Sequence, residues 1–234
     1  KWAGIASNNF SFVQLDLNNK DDTLSHLLSS FKPEYIVNFA AQSMVAQSWD
    51  YPSDWVDTNV SALTRVIECL KTYHGLEKFV HVTTPEVYGS TSDLITENHP
   101  FNPSTPYAVT RAAGDMMLKA FHEKDGLPVI FTRAANVFGP GQQLYRIIPR
   151  VIMACMTGDR FTLDGGGVST RSFIHIQDVC NATFELAISA KPGETFHISS
   201  EYFITIRELV EKIIKRAGRE FNEIACLGPE RQGK

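Results

Sequence analysis

The feature that most constrains the fold is the regular alternation of short apolar runs with amphipathic helical patterns. The spacing leaves room for crossover helices between strands, which favours an α/β fold with a parallel sheet. Strands are predicted at 10–17, 35–40, 78–84, 129–132, 161–163, 171–176 and 195–198, and helices at 21–31, 53–73, 106–124, 147–157, 179–189 and 206–217. The run at 35–40 lacks polar alternation, which predicts a strand buried on both faces.

Length and composition narrow the function classes. The 234 residues suffice for one large domain, and 22 basic against 26 acidic residues leave no positive excess to neutralise nucleic-acid phosphates. No apolar run approaches the roughly 18 residues that span a bilayer. The four cysteines (Cys69, Cys155, Cys180, Cys226) are dispersed, without the pairs typical of zinc sites. We therefore predict a cytoplasmic protein with no metal, no nucleic-acid partner and no membrane association.

Ligands of open parallel sheets bind beyond the carboxyl ends of the strands, and small and polar residues crowd these positions. They are Asp16-Leu17, Asn38 to Ser43, Thr83-Thr84-Pro85-Glu86 and Arg133 to Gly141. Tyr107 and Arg111 stand four residues apart at the start of the next predicted helix and therefore share a face. A Tyr-x-x-x-(Lys/Arg) pair is a weak signal alone, but here it follows a strand that ends in Thr-Thr-Pro-Glu.

Together these motifs resemble the extended short-chain dehydrogenase/reductases of the NAD-dependent epimerase/dehydratase family, specifically nucleotide-sugar 4,6-dehydratases of the dTDP-glucose and GDP-mannose type. The resemblance rests on Asp16-Leu17, Asn38 to Ser43, Thr58-Asn59-Val60, Thr84 to Gly89, Pro103 to Tyr107, Arg133 to Pro140, Arg171 to His175 and Arg231-Gln232-Gly233. It implies a Rossmann-like doubly wound parallel sheet. An NAD-binding domain would cover 1–140, and 141–234 would be mostly a substrate-binding region, with some segments returning to the sheet.

The Rossmann strand order 3-2-1-4-5-6 places the first two strands between the third and the fourth. The predicted strand at 10–17 corresponds to the third, and the sequence contains no glycine-rich phosphate loop. The triplet Gly165-Gly166-Gly167 lacks that spacing and is predicted to be a turn. We therefore expect the native chain to carry roughly 40 to 50 more N-terminal residues, about the size of a βαβ unit.

The resemblance implies oxidation of the sugar at C4, loss of water across C5–C6 and return of the hydride to C6. Tyr107 would take the 4-OH proton, with Thr84 hydrogen-bonded to the same hydroxyl. Glu86 would remove the C5 proton and return it to the leaving 6-OH. For this, the pKa of Tyr107 must fall from about 10 toward 7. A cation about 4 Å away, such as Arg111, contributes about 4 kcal/mol at an effective dielectric constant near 20.

Two residues depart from the family pattern. Arg111 stands where the family usually has Lys, and a guanidinium cannot relay a proton because it is not deprotonated in proteins. Pro85 stands where the dTDP-glucose enzymes have an acid that protonates the leaving hydroxyl. The GDP-mannose enzymes also lack that acid and keep the glutamate, so dehydration by Glu86 alone stays possible.

The resemblance also implies the binding residues. The cofactor contacts would be Asp16, Leu17, Ala40, Ala41, Gln42, Asn59, Thr83, Tyr107 and Arg111, and the cofactor NAD. Asp16 would accept from the adenine amino group, whereas Asn59, inside a long helix, is more typical of a structural link. Substrate contacts would be Ser43, Asn136, Arg171, His197 and Arg231, since arginine binds phosphate bidentately. His197 replaces a family asparagine, which leaves nucleotide selectivity open.

Other functions remain possible at this stage. A UDP-glucuronate decarboxylase shares the pattern, and so does a nucleotide-sugar epimerase, although 4-epimerases typically have small residues where this chain has Glu86. A non-catalytic binder of NAD or a nucleotide sugar is disfavoured by the joint presence of Thr84, Glu86 and Tyr107. The resemblance further implies a homodimer, in which the helices at 53–73 and 106–124 pair across a four-helix interface.

Overall fold

A computed structural model of the chain describes residues 9–91 and 94–229. The helices are α1 (Thr23–Phe31), α2 (Gln47–Asp50), α3 (Pro52–Val56), α4 (Leu63–Lys71), α5 (Pro106–Asp125), α6 (Ile147–Thr157), α7 (Ile176–Ser189), α8 (Ile206–Arg216) and α9 (Phe221–Ile224). The strands are β1 (Tyr35–Asn38), β2 (Lys78–Val82), β3 (Val129–Ala134), β4 (Asn136–Phe138), β5 (Phe161–Leu163), β6 (Thr170–His175), β7 (Thr195–Ile198), β8 (Phe203–Thr205) and β9 (Ala225–Leu227). A π-helical segment (Asp57–Ala62) joins α3 to α4, and short 3₁₀ turns occupy Pro85–Tyr88 and Asp164–Gly167.

The central sheet consists of parallel strands in the order β1-β2-β3-β7. Apolar side chains of α1, α4 and α5, among them Ile67 and Leu118, pack with Phe79 on one face. On the other face Ala187 of α7 packs with Val80 and Ile130. Helices therefore cover both faces, as the predicted doubly wound α/β fold requires. Strand β7 lies beyond residue 140 and returns to this sheet; the domain boundary itself stays a prediction.

Two predictions for the first part of the chain are wrong. Residues 10–16 form no strand, because a strand needs a neighbour for its backbone N–H and C=O groups and the described residues offer this segment none. Strand β1 is not buried on both faces, since Tyr35 and Val37 are 43% and 37% exposed. Ile36 contributes to the core beneath α1, α4 and α5, whereas the opposite face has α7 packed on β2 and β3.

Most of the other predicted elements are confirmed to within a few residues. The predicted helix at 53–73 contains an unpredicted π-helical segment, onto which α5 packs closely. A Cβ atom at Gly114 of α5 would lie 2.8 Å from Leu63 Cδ2 and 3.2 Å from the Asn59 carbonyl oxygen. The strands β4, β8 and β9, each of three residues, were not predicted.

The C-terminal part of the chain forms a second core. Val151 of α6, Val210 and Ile214 of α8 and Ile224 of α9 are buried together there. Two small sheets flank it, one with the order β4-β6-β8 and one that pairs β5 with β9. The Gly165-Gly166-Gly167 triplet is confirmed as a turn, with positive φ at all three positions.

Within 9–91 and 94–229, no helix is long and apolar enough to cross a membrane. The same ranges hold no group of three or more His, Cys, Asp or Glu side chains placed to bind a metal ion. The four cysteines are present as free thiols.

Candidate active site

The N-terminus of α5 positions Tyr107. Thr105 caps the helix by accepting a hydrogen bond from the Ala108 N–H at 3.1 Å, and Pro106 occupies the first turn, where its missing N–H costs nothing. The Tyr107 N–H donates to the Ser48 hydroxyl at 3.1 Å, which in turn donates to the Val45 carbonyl at 2.6 Å. The backbone of Tyr107 is thereby tied to the segment that follows β1.

Thr84 and Glu86 reach the same place from the end of β2. The Thr84 side chain caps the 3₁₀ turn Pro85–Tyr88 by accepting from the Glu86 N–H at 3.2 Å. Thr84 is buried, whereas Glu86 is exposed. The Thr84 side chain also hydrogen-bonds the Tyr107 side chain, and the Glu86 charge is close enough to raise the pKa of Tyr107. The structure therefore brings Thr84, Glu86 and Tyr107 together, as the sequence predicted.

The pKa of Tyr107 lies above its usual value of 10, not below it. Burial is the main cause, since the phenol is 9% exposed and its anion would lose most of its hydration. The Thr84 hydrogen bond and the positive charge of Arg111 lower the pKa, but by less than burial raises it. The expected fall toward 7 is therefore wrong for the protein without ligands, because loss of hydration of the phenolate outweighs the attraction of the Arg111 cation.

Arg111 is buried at 3% exposure, and its guanidinium turns toward the end of β2. It donates to the Val82 carbonyl and lies 3.2 Å from His81 Nε2. His81 is fully buried, and its Nδ1 is 3.1 Å from the Asn38 amide nitrogen. Burial and the positive charge of Arg111 hold the pKa of His81 well below its usual value, so the ring is neutral at pH 7.

Several of the predicted cofactor residues gather beside β1. Leu17, Ala40, Asn59 and Arg111 line one small depression. Leu17 also lines a neighbouring cleft of about 390 Å³ between α1 and α4, together with Asp16. The Asp16 carboxylate accepts a hydrogen bond from the Asn18 N–H at 2.9 Å. These positions are compatible with a ligand that runs along the carboxyl ends of the strands.

Other predicted cofactor residues make internal contacts. The buried Asn59 amide accepts from the Gln42 N–H at 2.9 Å and donates to the Gln42 carbonyl and the Thr110 hydroxyl, both at 3.0 Å. Asn59 thus holds the 40–43 segment, in which Ala40 is exposed and Ala41 is half-buried. The Thr83 side chain lies near Asp115, a carboxyl group whose pKa burial raises.

The predicted substrate residues are more scattered. Asn136 on β4 donates to the Ser172 carbonyl on the adjoining β6 at 3.1 Å, and Arg171 on β6 donates to the Thr170 carbonyl at 2.8 Å. Ser43 is exposed in the segment after β1. His197 on β7 lies with Nε2 2.9 Å from the Tyr88 hydroxyl, and burial lowers its pKa. Arg231 lies outside the described residues.

Sequence reasoning missed two residues of this site. Arg146 immediately precedes α6, and its positive charge lowers the pKa of Tyr107. A wider search of the loop after the fourth predicted strand would have included it, because that loop follows a carboxyl end of the sheet. Ser48 accepts from the Tyr107 N–H. The sequence around Ser48 does not distinguish it from the other serines of the chain, so it could not be predicted.

Comparisons with known proteins agree with this geometry. The family model described as "GDP-mannose 4,6 dehydratase" matches residues 3–231. A dTDP-glucose 4,6-dehydratase from Streptomyces niveus is 33% identical over 226 residues, covering 96% of this chain and 66% of the relative. The chain thus spans about two thirds of that protein's length.

Solved structures give the same picture. The crystal structure of a dTDP-glucose 4,6-dehydratase from Streptomyces venezuelae with NAD bound superposes with a TM-score of 0.85 at 32% identity, covering 95% of this chain and 68% of that one. A UDP-glucuronic acid 4-epimerase from Bacillus cereus, solved with UDP-glucuronic acid and NAD, has a TM-score of 0.88 at 27% identity. The superposition covers 96% of this chain and 70% of the epimerase.

Proposed function

This chain belongs to the GDP-mannose 4,6-dehydratase family, and we propose that it is an NAD-dependent nucleotide-sugar 4,6-dehydratase, a hydro-lyase. The observation that carries the proposal is that Thr84 bonds the Tyr107 side chain and also caps, by accepting from the Glu86 N–H at 3.2 Å, the turn that carries Glu86. Tyr107 and Thr84 suit oxidation at C4, which all the sugar-modifying enzymes of this fold are expected to share. Glu86 adds the base that elimination across C5–C6 requires.

The residues beside β1 fit NAD. Ala40 and Ala41 carry no side chain beyond Cβ, so a ligand can approach the backbone of a segment that Asn59 holds in place. We propose that these residues, with Asp16, Leu17, Gln42, Thr83, Tyr107 and Arg111, form the cofactor site. When bound, NAD supplies the hydride acceptor and, because its oxidised nicotinamide is cationic, a second positive charge that favours the Tyr107 phenolate.

The side chains then divide the proton transfers between them. The Tyr107 oxygen takes the proton of the sugar 4-OH while the Thr84 hydroxyl orients the same group. The 4-ketone acidifies the C5 proton, which Glu86 removes. Because Pro85 has no proton to give, Glu86 returns that proton to the departing 6-OH, and water leaves. The proton that C5 must regain when C6 is reduced then comes from solvent through Glu86. One exposed carboxylate suffices for this shuttle, because the same group first takes the C5 proton and then gives it to the 6-OH.

We propose that the substrate is a nucleoside diphosphate hexose. Ser43 follows β1 and Asn136 follows β3, beyond the carboxyl ends of these strands, and Arg171 lies near the start of β6, which pairs with the strand of Asn136. Arg146 adds a cation whose charge acts on Tyr107. Guanidinium groups match the geometry and charge of a diphosphate. His197 and Arg231 stay candidates from the resemblance. His197 contacts Tyr88 and Glu97, so its effect on substrate would be indirect.

The test uses the full-length protein with NAD and a panel of nucleoside diphosphate hexoses. We expect one of them to give a 4-keto product that has lost one water. Tyr107→Phe should lower kcat about 100- to 10,000-fold, the usual contribution of an acid–base group, while NAD stays bound. Tyr73→Phe is the matched control, since it removes one hydroxyl that bonds the distant Pro33 carbonyl at 2.9 Å.

Product analysis also separates the alternatives. A 4-epimerase, which the Bacillus cereus structure makes the nearest competitor, would leave the mass of the sugar unchanged, and a decarboxylase would release carbon dioxide. Either result would replace the dehydratase assignment. Wild-type protein that binds NAD but converts no nucleotide sugar would favour a non-catalytic binder.

We further propose a homodimer in the cytoplasm. Val109 and Met116 stand seven residues apart on one face of α5 and are 50% and 62% exposed, and Val56 of α3 is 45% exposed. Apolar side chains in such numbers on adjoining helices are typical of a subunit interface. Four free thiols are typical of a reducing compartment. Sedimentation that shows a monomer for the wild-type protein would contradict the dimer.

A further inference from the structure

Tyr88 ends the 3₁₀ turn that carries Glu86, and its side chain is held from three sides. It is 1% exposed. Its hydroxyl accepts from Arg133 Nη1 at 2.5 Å, lies 3.0 Å from the Glu97 carbonyl and lies 2.9 Å from His197 Nε2. A residue two positions after Glu86 is therefore fixed by hydrogen bonds to β3, to β7 and to the 94–105 loop.

Arg133 connects the Tyr88 hydroxyl to the helix of Tyr107. Its Nη2 lies 2.9 Å from Asp115 Oδ2, and both side chains are buried, at 4% and 2% exposure. Asp115 lies on α5, eight residues and about two helical turns after Tyr107. A continuous buried chain thus runs from the turn of Glu86 through Tyr88, Arg133 and Asp115 to the helix of Tyr107.

We propose that the Tyr88–Arg133–Asp115 chain is a positioning device that sets where Glu86 stands relative to Tyr107. The inference rests on the proposed function, in which these two side chains act in succession on one sugar. Buried charged hydrogen bonds are short and directional, so they define a spacing better than apolar contacts do. The turn is also anchored at Val87, whose side chain is buried and whose carbonyl accepts from the Asn102 N–H at 2.9 Å. The Tyr88 hydroxyl adds the link to α5.

Tyr88→Phe tests this directly. The variant removes one oxygen and keeps the ring contacts with His99, Phe101 and His197. We expect a folded protein whose melting temperature falls by no more than about 10 °C. The Kd for NAD and the KM for the nucleotide sugar should stay within about twofold. The kcat should fall about 10- to 100-fold, as expected for a reacting group displaced by up to about 1 Å.

The variant should also change which step is slow. If Glu86 is displaced and Tyr107 is not, oxidation at C4 proceeds while removal of the C5 proton lags. Reduced nicotinamide should then accumulate during a single turnover, visible by its absorbance, and incorporation of solvent deuterium at C5 should slow. Tyr73→Phe, which removes a remote hydroxyl, should show neither change.

A double-mutant comparison separates positioning of Glu86 from a general loss of order. If Tyr88 acts through Glu86, Tyr88→Phe should add little to the loss that Glu86→Gln already causes. Additive losses, or a Tyr88→Phe protein with wild-type kcat and no reduced nicotinamide, would overturn the inference and leave the proposed function intact. A wild-type protein without a 4-keto product would overturn both.

Discussion

Two buried arginines stand behind the site, and their surroundings differ. Arg133 has a carboxylate, Asp115, at 2.9 Å, and its guanidinium also lies over the rings of Tyr88 and Phe101 at 5.0 and 5.1 Å. Arg111, equally buried, has the Val82 carbonyl and the neutral ring of His81 as its partners. Among the described residues no carboxylate forms an ion pair with Arg111.

The comparison shows what each charge does. The charge of Arg133 is largely matched by Asp115, so this arginine mainly holds elements together. Arg111 has no carboxylate at ion-pair distance among the described residues. Its charge opposes the burial that raises the pKa values of Tyr107 and Asp115, and it adds to the burial that lowers the pKa of His81. Because a guanidinium stays charged even when buried, arginine can supply a permanent positive potential here without relaying a proton.

Removing the partner of Arg133 should have the largest effect. We expect Asp115→Ala to lower the free energy of unfolding by about 3 to 5 kcal/mol, because it leaves a buried guanidinium without its anion. Asp125 lies at the end of the same helix as Asp115 and forms a half-exposed pair with Lys71 of α4 at 3.6 Å. Asp125→Ala should therefore cost about 1 kcal/mol or less. Urea unfolding measures both, and equal losses would mean that Asp115 does not compensate Arg133. Adding Arg133→Met to Asp115→Ala should restore part of the stability.

Removing the charge of Arg111 should affect activity more than stability. We expect Arg111→Met to lower kcat about 100- to 1,000-fold, the loss that corresponds to a cation about 4 Å away at an effective dielectric constant near 20. Arg111→Lys keeps the charge and should stay within about tenfold of wild type. Steady-state kinetics at several pH values decides the point. Equal losses in the two variants would show that the shape of the guanidinium matters and its charge does not.

The smallest expected effect is on the pH dependence of stability. Folded His81 stays neutral below its usual pKa of 6.5, whereas the unfolded chain takes up a proton there. Stability from this residue is therefore complete above about pH 6.5 and is lost as the pH falls, by up to about 1.4 kcal/mol per pH unit. Urea unfolding between pH 7.5 and 5 should show this slope, and His81→Gln should make it shallower. His197, whose pKa is also lowered, contributes in the same direction and remains in both proteins. Identical slopes would mean that His81 is not held neutral.

The sequence predicted which side chains form the site better than it predicted the pKa of Tyr107. Thr84, Glu86 and Tyr107 were expected together because the carboxyl ends of parallel strands meet at one edge, and the structure places them there. The direction of the Tyr107 pKa was wrong, because it depends on burial by elements distant in sequence. The strand at 10–17 was wrong for a related reason: apolar composition favours a strand, but pairing partners decide whether one forms.

The sequence by itself determined the alternation of strands and helices in the central sheet and which side chains follow each of its strands. These follow from local periodicity and from the geometry of a parallel sheet, both of which depend on neighbouring residues. Only the tertiary structure decided which arginine is matched by a carboxylate and how far the tyrosine is removed from water. The first property depends on Asp115 and Arg133, and the second on neighbours of Tyr107 such as Ser48 and Thr84; these residues lie far apart along the chain and meet only when it has folded. Desolvation and charge pairing are three-dimensional quantities, and no local pattern encodes them.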